Sequence, residues 1–320
     1  MTHRARLLGA AIASSAIGLA TLAAAAPAQA AFPGHNGKLV YLVTHAGPGG
    51  GGRNEVFVSR RNGTHPVQLT HKRQNDQPRW SPNGHRLLYT HKSAKGPLQI
   101  WIMGARGHHK TRLPGQGRTD NSEAAWAPDG HRIVFAQFSR PFQPFHCDLV
   151  VYSLDTHVLT PLHVGQGFDR IPSAPAWSPE GEHIAFAAVN KNAPNINGTA
   201  ELYVVQPDGQ GLSQITHSTH FAEGHPNWSP DGRRLVYERI GGKSPGKYCE
   251  QLETINADGT NRRRLHAGCY NGWPAWSPNG RKIIAYRSGP VQPGLWRMSP
   301  NGSHQHFITL GYDVDQQPTR

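Results

Sequence analysis

The chain has 320 residues, 37% hydrophobic and 17% charged, with 36 glycines and 26 prolines. These proportions are globular; they exclude a fully disordered or collagen-like chain, and the length suffices for one large domain or two ordinary ones with a buried core. Thirty-three Lys and Arg against 20 Asp and Glu give a formal charge of +13, and 20 histidines add more in acid, so attraction to nucleic acid, anionic cell-wall polymer or lipid head groups is expected.

Residues 1–30 read as a secretory signal peptide. His3, Arg4 and Arg6 form a positive start, Leu7 to Ala26 is apolar and alanine-rich, and Ala28-Gln29-Ala30 is a small-x-small cleavage site. The apolar stretch nearly suffices for a membrane anchor, but the cleavage site followed by Phe32-Pro33-Gly34 favours removal after about Ala30. No cysteine lies beside that site, which excludes a lipid anchor there, and no other apolar run approaches membrane length. The expected product is exported, secreted or periplasmic, without a transmembrane anchor after cleavage.

From residue 31 onward the chain repeats itself. The strings are PRWSPNGHRLLYT (78–90), AAWAPDGHRIVFA (124–136), PAWSPEGEHIAFA (175–187), PNWSPDGRRLVYE (226–238) and PAWSPNGRKIIAY (274–286), with tryptophans at 80, 126, 177, 228 and 276. A sixth copy is split across the termini. AFPGHNGKLVYL (31–42) supplies its start; Asp315-Gln316-Gln317-Pro318 resembles Asn75-Asp76-Gln77-Pro78, which sets Arg320 at the tryptophan position.

Each unit predicts four short strands. Pro-x-Trp-Ser is strand A. The following Pro-(Asn/Asp/Glu)-Gly is a tight turn, where proline presets φ and glycine supplies φ > 0. Strand B alternates, as in Arg86-Leu87-Leu88-Tyr89. Strand C is β-prone, as in Gln99–Met103 and Glu201–Val205, and a turn such as Pro207-Asp208-Gly209 leads to strand D. Helical periodicity is absent after residue 30. Short strands with Gly/Pro turns at a long fixed period predict blades rather than a sandwich. The expected fold is all-β: a six-bladed β-propeller of four-stranded blades over residues 31–320, closed by the C-terminal strand A pairing with the N-terminal strands.

The W-S-P-D-G repeats resemble those of the TolB-like propeller family, a WD-like repeat also found in the propellers of prolyl oligopeptidase-type enzymes. The resemblance covers nearly all of the chain after residue 30 and implies the fold. TolB itself carries an α/β domain before its propeller and works in a periplasmic envelope complex; here the first blade is expected directly after the signal, without that domain.

The repeat tryptophans recur at one strand position, which predicts inter-blade packing rather than a ligand platform. B–C and D–A connections gather on one face and are the longer set, and long loops on a rigid scaffold are where binding concentrates. His45, His71, Lys72, Arg73, His91, Lys92, Arg140, His146, Lys191, Lys243 and Arg287 fall on this face and form a candidate basic binding surface; ordinary solvated charges would look the same. Asp76, Glu123, Glu223 and Asp315 precede strand A and are expected at the channel mouth, hydrogen-bonded to backbone amides or paired with arginines.

No metal or cofactor motif emerges. His304 and His306 share a strand face, yet no third ligand accompanies them. Gly242–Gly246 imitates a nucleophile elbow without its strand and helix, and Pro245 removes the oxyanion-hole amide. Cys249 and Cys269 flank Asp258-Gly259 almost symmetrically in a C–D hairpin, so export predicts a Cys249–Cys269 disulfide, leaving Cys147 over. The leading functional expectation is a non-catalytic, monomeric binding scaffold for a protein or an anionic cell-envelope polymer, with no specific nucleic acid. The alternatives are a lyase or hydrolase acting on an anionic polysaccharide in the channel, marked by a His/Arg/acid cluster there, and a polyanion-adhesion protein driven by charge alone.

Overall fold

Each W-S-P-(N/D/E)-G string folds as a hairpin corner that its own side chains close. Ser81 N donates to Arg86 O and Ser81 Oγ accepts from Arg86 N, both at 2.9 Å, while Ser81 Oγ donates to Asn83 Oδ1 at 2.8 Å. Gly84 sits at φ 68° and takes the left-handed position without a Cβ penalty. The same serine contact recurs at Ser178–His183, Ser229–Arg234 and Ser277–Lys282. Where Ala127 replaces the serine, Asp129 Oδ1 accepts from His131 N and Arg132 N instead.

In the computed structural model, residues 32–46, 52–71, 74–93, 96–139, 147–165, 168–190, 199–218, 220–241, 249–265, 271–288 and 292–319 are described. Blade 1 holds β1 (His35–Ala46), β2 (Gly52–Ser59) and β3 (Val67–Gln68). Blade 2 holds β4 (Gln74–Trp80), β5 (Arg86–Lys92), β6 (Leu98–Gly104) and β7 (Thr111–Arg112). Blade 3 holds β8 (Asp120–Trp126), β9 (Arg132–Phe138), β10 (Cys147–Ser153) and β11 (Leu159–Pro161). Blade 4 holds β12 (Phe168–Trp177), β13 (Ile184–Asn190), β14 (Glu201–Val205) and β15 (Ser213–Gln214). Blade 5 holds β16 (Ala222–Trp228), β17 (Arg234–Gly241), β18 (Cys249–Asn256) and β19 (Arg263–Arg264). Blade 6 holds β20 (Asn271–Trp276), β21 (Ile283–Arg287), β22 (Gly294–Met298) and β23 (His306–Thr309). The last strand, β24 (Tyr312–Thr319), joins blade 1 in the order β24-β1-β2-β3. All pairings are antiparallel, no α-helix occurs among the described residues, and β4, β8, β12, β16, β20 and β24 touch in a closed ring around the axis. The six-bladed fold and its closure by the two chain ends are as the repeats require.

The register of the closing strand differs from the sequence expectation. Leu39 pairs with Gln316 as Leu87 pairs with Trp80, so Gln316 rather than Arg320 occupies the tryptophan position. The resemblance between 315–318 and 75–78 is four residues out of register. An even slip keeps every side chain on its own face, so the strand pattern alone does not expose it. The strand B–strand C ladders run far toward the rim, to Ala46↔Gly52, Lys92↔Leu98 and Gly241↔Cys249.

Six apolar clusters fill the six blade seams. Val40, Leu42, Val56, Val58 and Leu69 of blade 1 meet Trp80, Leu87, Tyr89 and Met103 of blade 2; Leu39, Tyr41 and Val314 meet Ala275, Ile284 and Leu295 of blade 6. Trp126, Trp177, Trp228 and Trp276 serve the seams between. Arginines of the preceding blade lie over three of these rings, Arg86 on Trp126 at 4.8 Å, Arg132 on Trp177 at 4.9 Å and Arg234 on Trp276 at 5.0 Å. The tryptophans therefore cement neighbouring blades, and the Arg at the start of strand B is half of that joint.

Candidate functional site: the axial channel

The inner strands are not regular. Each contains a residue at positive φ three positions before the tryptophan, or before Gln316: Gln77 (54°), Glu123 (58°), Ala174 (49°), His225 (48°), Trp273 (47°) and Asp313 (49°). Register shifts accompany them. A bulge bends its strand and re-aims a side chain, and a left-handed non-glycine residue costs on the order of 1–3 kcal/mol that its surroundings must hold in place. Six such residues at one level turn an ordinary strand position into a ring of functional groups. Five of them, all but Asp313, line a cavity of about 90 Å³ together with Arg79, Asp315, Asn227, Phe32, Trp80, Trp126, Trp177 and Trp228.

Side chains lining the cavity tie four blades to their neighbours through backbone amides. Gln77 Oε1 accepts from Glu123 N at 3.1 Å, Glu123 Oε2 from Ala174 N at 2.5 Å, Asn227 Oδ1 from Trp276 N at 2.8 Å and Asp315 Oδ2 from Trp80 N at 2.7 Å. Trp228 Nε1 donates back to Ala176 O at 3.1 Å.

Two ion pairs face the cavity. Arg79 NH1 meets Asp313 Oδ1 at 2.7 Å; burial opposes the guanidinium charge, and Asp313, Asp315 and Glu123 outweigh it. His225 Nδ1 meets Glu238 Oε1 at 2.6 Å, and Glu238 Oε2 accepts from Trp273 N at 3.2 Å. Burial disfavours the imidazolium, yet the Glu238 carboxylate holds His225 up at about 9, so it is charged at neutral pH. Burial, offset in part by Arg79 and two backbone amides, pushes Asp315 up to about 6. Above them lies an aromatic arc: Trp273 is 5.6 Å from Tyr312, 5.8 Å from Tyr286 and 5.6 Å from His225, centroid to centroid.

Of the four acids expected at the mouth, Glu123 and Asp315 line the cavity. Asp76 sits higher, accepting from Asn54 Nδ2 at 2.7 Å, its carboxyl raised by burial. Glu223 turns into the seam between blades 4 and 5. There Arg262 NH2 is 2.7 Å and Arg239 Nε 3.7 Å from its Oε1, and Glu253 binds both arginines and Tyr237 OH. Glu201 shares the seam, accepting from Thr216 Oγ1 at 2.7 Å and Ser218 N at 2.5 Å; burial and then the neighbouring Glu223 carboxyl push it up to about 8.

Among the basic-face residues, Lys72, Arg73, Arg140, His146, Lys191 and Lys243 lie outside the described residues, as does Cys269 of the expected Cys249–Cys269 bridge and the 242–246 decoy. His45 is the penultimate residue of β1, its ring 5.8 Å from Phe57; Lys92 ends β5, exposed; Arg287 ends β21 with its guanidinium 4.8 Å from Trp296. His71 and His91 share a groove between blades 1 and 2. Among the described candidates, His71 and His91 thus share the groove and Glu123 and Asp315 share the cavity. Among the described residues, no three His, Cys, Asp or Glu side chains converge as a ligand set.

His225, Glu238, Trp273, Asp313 and Arg79 are not among the sequence candidates and carry no motif of their own. A signal existed: three residues before each tryptophan the repeats read Gln, Glu, Ala, His and Trp, a variable column beside nearly invariant turns.

A family model described as the TolB beta propeller domain matches residues 140–320, more than half of the chain. Among solved structures, TolB from Acinetobacter baumannii superposes with a TM-score of 0.69 at 14% identity, over 88% of this chain and 67% of that one. A chain of a nidogen/laminin complex gives 0.64 at 14% identity, over 89% and 100%. An oligogalacturonate lyase in complex with manganese gives 0.58 at 16% identity, over 89% and 78%. These likenesses concern the fold, and with the family match they place the repeats: the chain belongs to the TolB β-propeller family.

Proposed function

We propose that this protein is an exported, non-catalytic binding scaffold whose channel mouth receives a protein segment or an anionic cell-envelope polymer. The observation that carries the reading is the arc of half-buried Trp273, Tyr286 and Tyr312 beside the cationic His225 and Arg79, held on a rigid ring. Aromatic side chains with an adjacent cation, preorganised in a concave site, are the groups that dominate protein recognition. The basic loop face would steer an anionic partner toward the mouth. Under this reading residues 1–30 are removed on export, the protein works in the periplasm or outside the cell, and it acts as a monomer. No helix among the described residues is long and apolar enough to cross a membrane. The fold likeness to TolB and to a chain of the nidogen/laminin complex is consistent with a binding role.

The test is capture from the native cell surface with the chain lacking residues 1–30, beside a Trp273→Ala/Tyr312→Ala double variant. One stoichiometric partner, protein or polymer, that the double variant loses supports the reading. Equal capture by both forms overturns it.

A second reading has one observation in its favour: His225, Arg79, Glu123 and Asp315 line one cavity in the channel, and an oligogalacturonate lyase shares the fold. That reading makes this chain a lyase or hydrolase of an anionic polysaccharide. Against it, Arg79 is engaged by Asp313, and His225, protonated at pH 7, is unsuited to act as a base. Release of unsaturated or reducing ends from oligogalacturonate, abolished by His225→Ala, would establish the enzyme over the scaffold.

A further inference from the structure

We propose a second ligand site, for a small anion carrying a flat apolar face, in the groove between blades 1 and 2 at the long-loop rim. It is independent of the channel and involves none of its residues.

The groove encloses about 620 Å³, within the range of ~300–1,000 Å³ typical of small-molecule sites. Tyr89 and Trp101 form its floor, with ring centroids 6.4 Å apart, and the His91 ring stands 5.2 Å from Trp101. His91 is set by Asn75, whose Oδ1 lies 2.9 Å from its Nδ1. Lys110, Arg112 and Arg118 rise around the opening, together with His71. No carboxylate is among the groove's lining residues, and among the described residues none lies within ion-pair distance of Lys110, Arg112 or Arg118. Arg112 NH1 reaches Gln99 Oε1 at 3.4 Å, which leans it along the wall. At Gly117, φ 59°, an added Cβ would meet nothing within 4 Å, so the rim there is open.

The chemistry follows from this inventory. An uncompensated trio of cations around one opening attracts an anion, and two arginines are suited to bidentate contacts with a carboxylate. An aromatic floor takes a flat apolar face by stacking. The combination is particular to blade 2. The ladder sets Trp101 opposite Arg112, whereas the equivalent pairs elsewhere are Phe57 with Gln68, Val150 with Pro161, Tyr203 with Gln214, Glu253 with Arg264 and Trp296 with Phe307. Packing alone does not explain it, because none of the other five ladders sets a cation directly opposite an aromatic ring at this position.

The experiment is titration of the full chain with naphthalene-2-carboxylate, 2-naphthamide and methyl β-D-glucuronide, read by calorimetry and by ligand NMR. For a ligand of this size an affinity of about 0.1–1 mM is expected for a carboxylate probe. The neutral amide should bind at least about tenfold more weakly. Naphthoate binding makes the flat face aromatic; binding of the glucuronide alone makes it a sugar face; either supports the site. Arg112→Gln/Arg118→Gln, at exposed positions, should lose the carboxylate preference, and Trp101→Ala should lose both probes. Trp273→Ala in the channel should change nothing. The proposal is overturned if neither carboxylate binds at about 10 mM, if the amide binds equally well, or if binding follows Trp273 instead of the arginines.

Discussion

Glu201 and Glu223 allow a sharp test of the seam between blades 4 and 5. In the equivalent seam between blades 1 and 2, Asn75 Nδ2 donates to Glu55 Oε2 at 3.0 Å and Thr70 Oγ1 donates to the same oxygen at 2.6 Å. Blade 5 places Glu223 where blade 2 has Asn75, so a carboxylate faces a carboxylate. Glu223 is engaged by Arg262, whereas Glu201 has neutral donors, so the proton resides on Glu201, raised to about 8. Glu223 Oε2 has no other donor among the described residues and is placed to accept it. In the unfolded chain the same side chain ionises near 4.5. The folded state thus keeps a proton that the unfolded state releases, and stability falls as pH rises from about 4.5 to about 8. At ~1.4 kcal/mol per pH unit the loss is roughly 3–5 kcal/mol as an upper range. Glu201→Gln replaces the shared proton with an amide N–H and removes this slope, at a pH-independent cost of about 1 kcal/mol for one forfeited acceptor. Urea denaturation at pH 5, 6.5 and 8.5 measures both. Wild type should lose stability over that interval relative to Glu201→Gln, so that the variant becomes the more stable form at pH 8.5. Parallel curves for the two proteins would falsify the shared-proton account.

His225 supplies an independent pH effect. Its pKa is raised to about 9, so its contribution is complete below about 6.5 and is lost as pH passes about 9; in Glu238→Gln the imidazole should titrate below its ordinary value, read by NMR. Trp126→Ala should cost about 3–5 kcal/mol through the seam cavity, and Arg86→Ala, which uncovers that ring, about 1 kcal/mol. Deleting 312–320 removes the strand that closes blade 1 and should abolish the cooperative thermal transition, whereas Asp315→Ala, which frees Trp80 N, should shift it by about 1–3 kcal/mol.

The architecture was legible because its determinants are local and repeated. A Ser-Pro-Asx-Gly corner closes with its own side chains, and a tryptophan at a fixed step from it must find a neighbouring blade. The closing register was not legible, since sliding β24 by an even number of residues leaves the buried and exposed faces unchanged, and Gln316 fills a place where every other blade has tryptophan. Nor was the channel ring. A bulge sets the direction of His225 or Asp313, and bulges leave no turn residue to announce them; the acids that drew notice instead, Asp76 and Glu223, lie one and two residues earlier in their strands and face elsewhere. Charge pairs across 234 residues, such as Arg79 with Asp313, arise from closure and have no local signature.

Six bulges at one level are geometrically equivalent, yet the groups they present are not. Blades 2, 3 and 4 contribute Gln77, Glu123 and Ala174, an amide, an acid and a methyl group, two of which are engaged in holding the next blade. Blades 5, 6 and 1 contribute His225, Trp273 and Asp313, backed by Glu238, Tyr286, Tyr312 and Arg79. One half of the ring is therefore structural, and the other carries the aromatic surface and both ion pairs. Under the proposed binding role, a ligand entering along the axis would meet a polarised wall rather than a symmetric one, and the best fit would be asymmetric across its width, with its apolar side toward blades 6 and 1. A symmetric ion or a featureless polyanion does not use this difference, which is why the channel argues for an oriented chain segment over adhesion by charge alone.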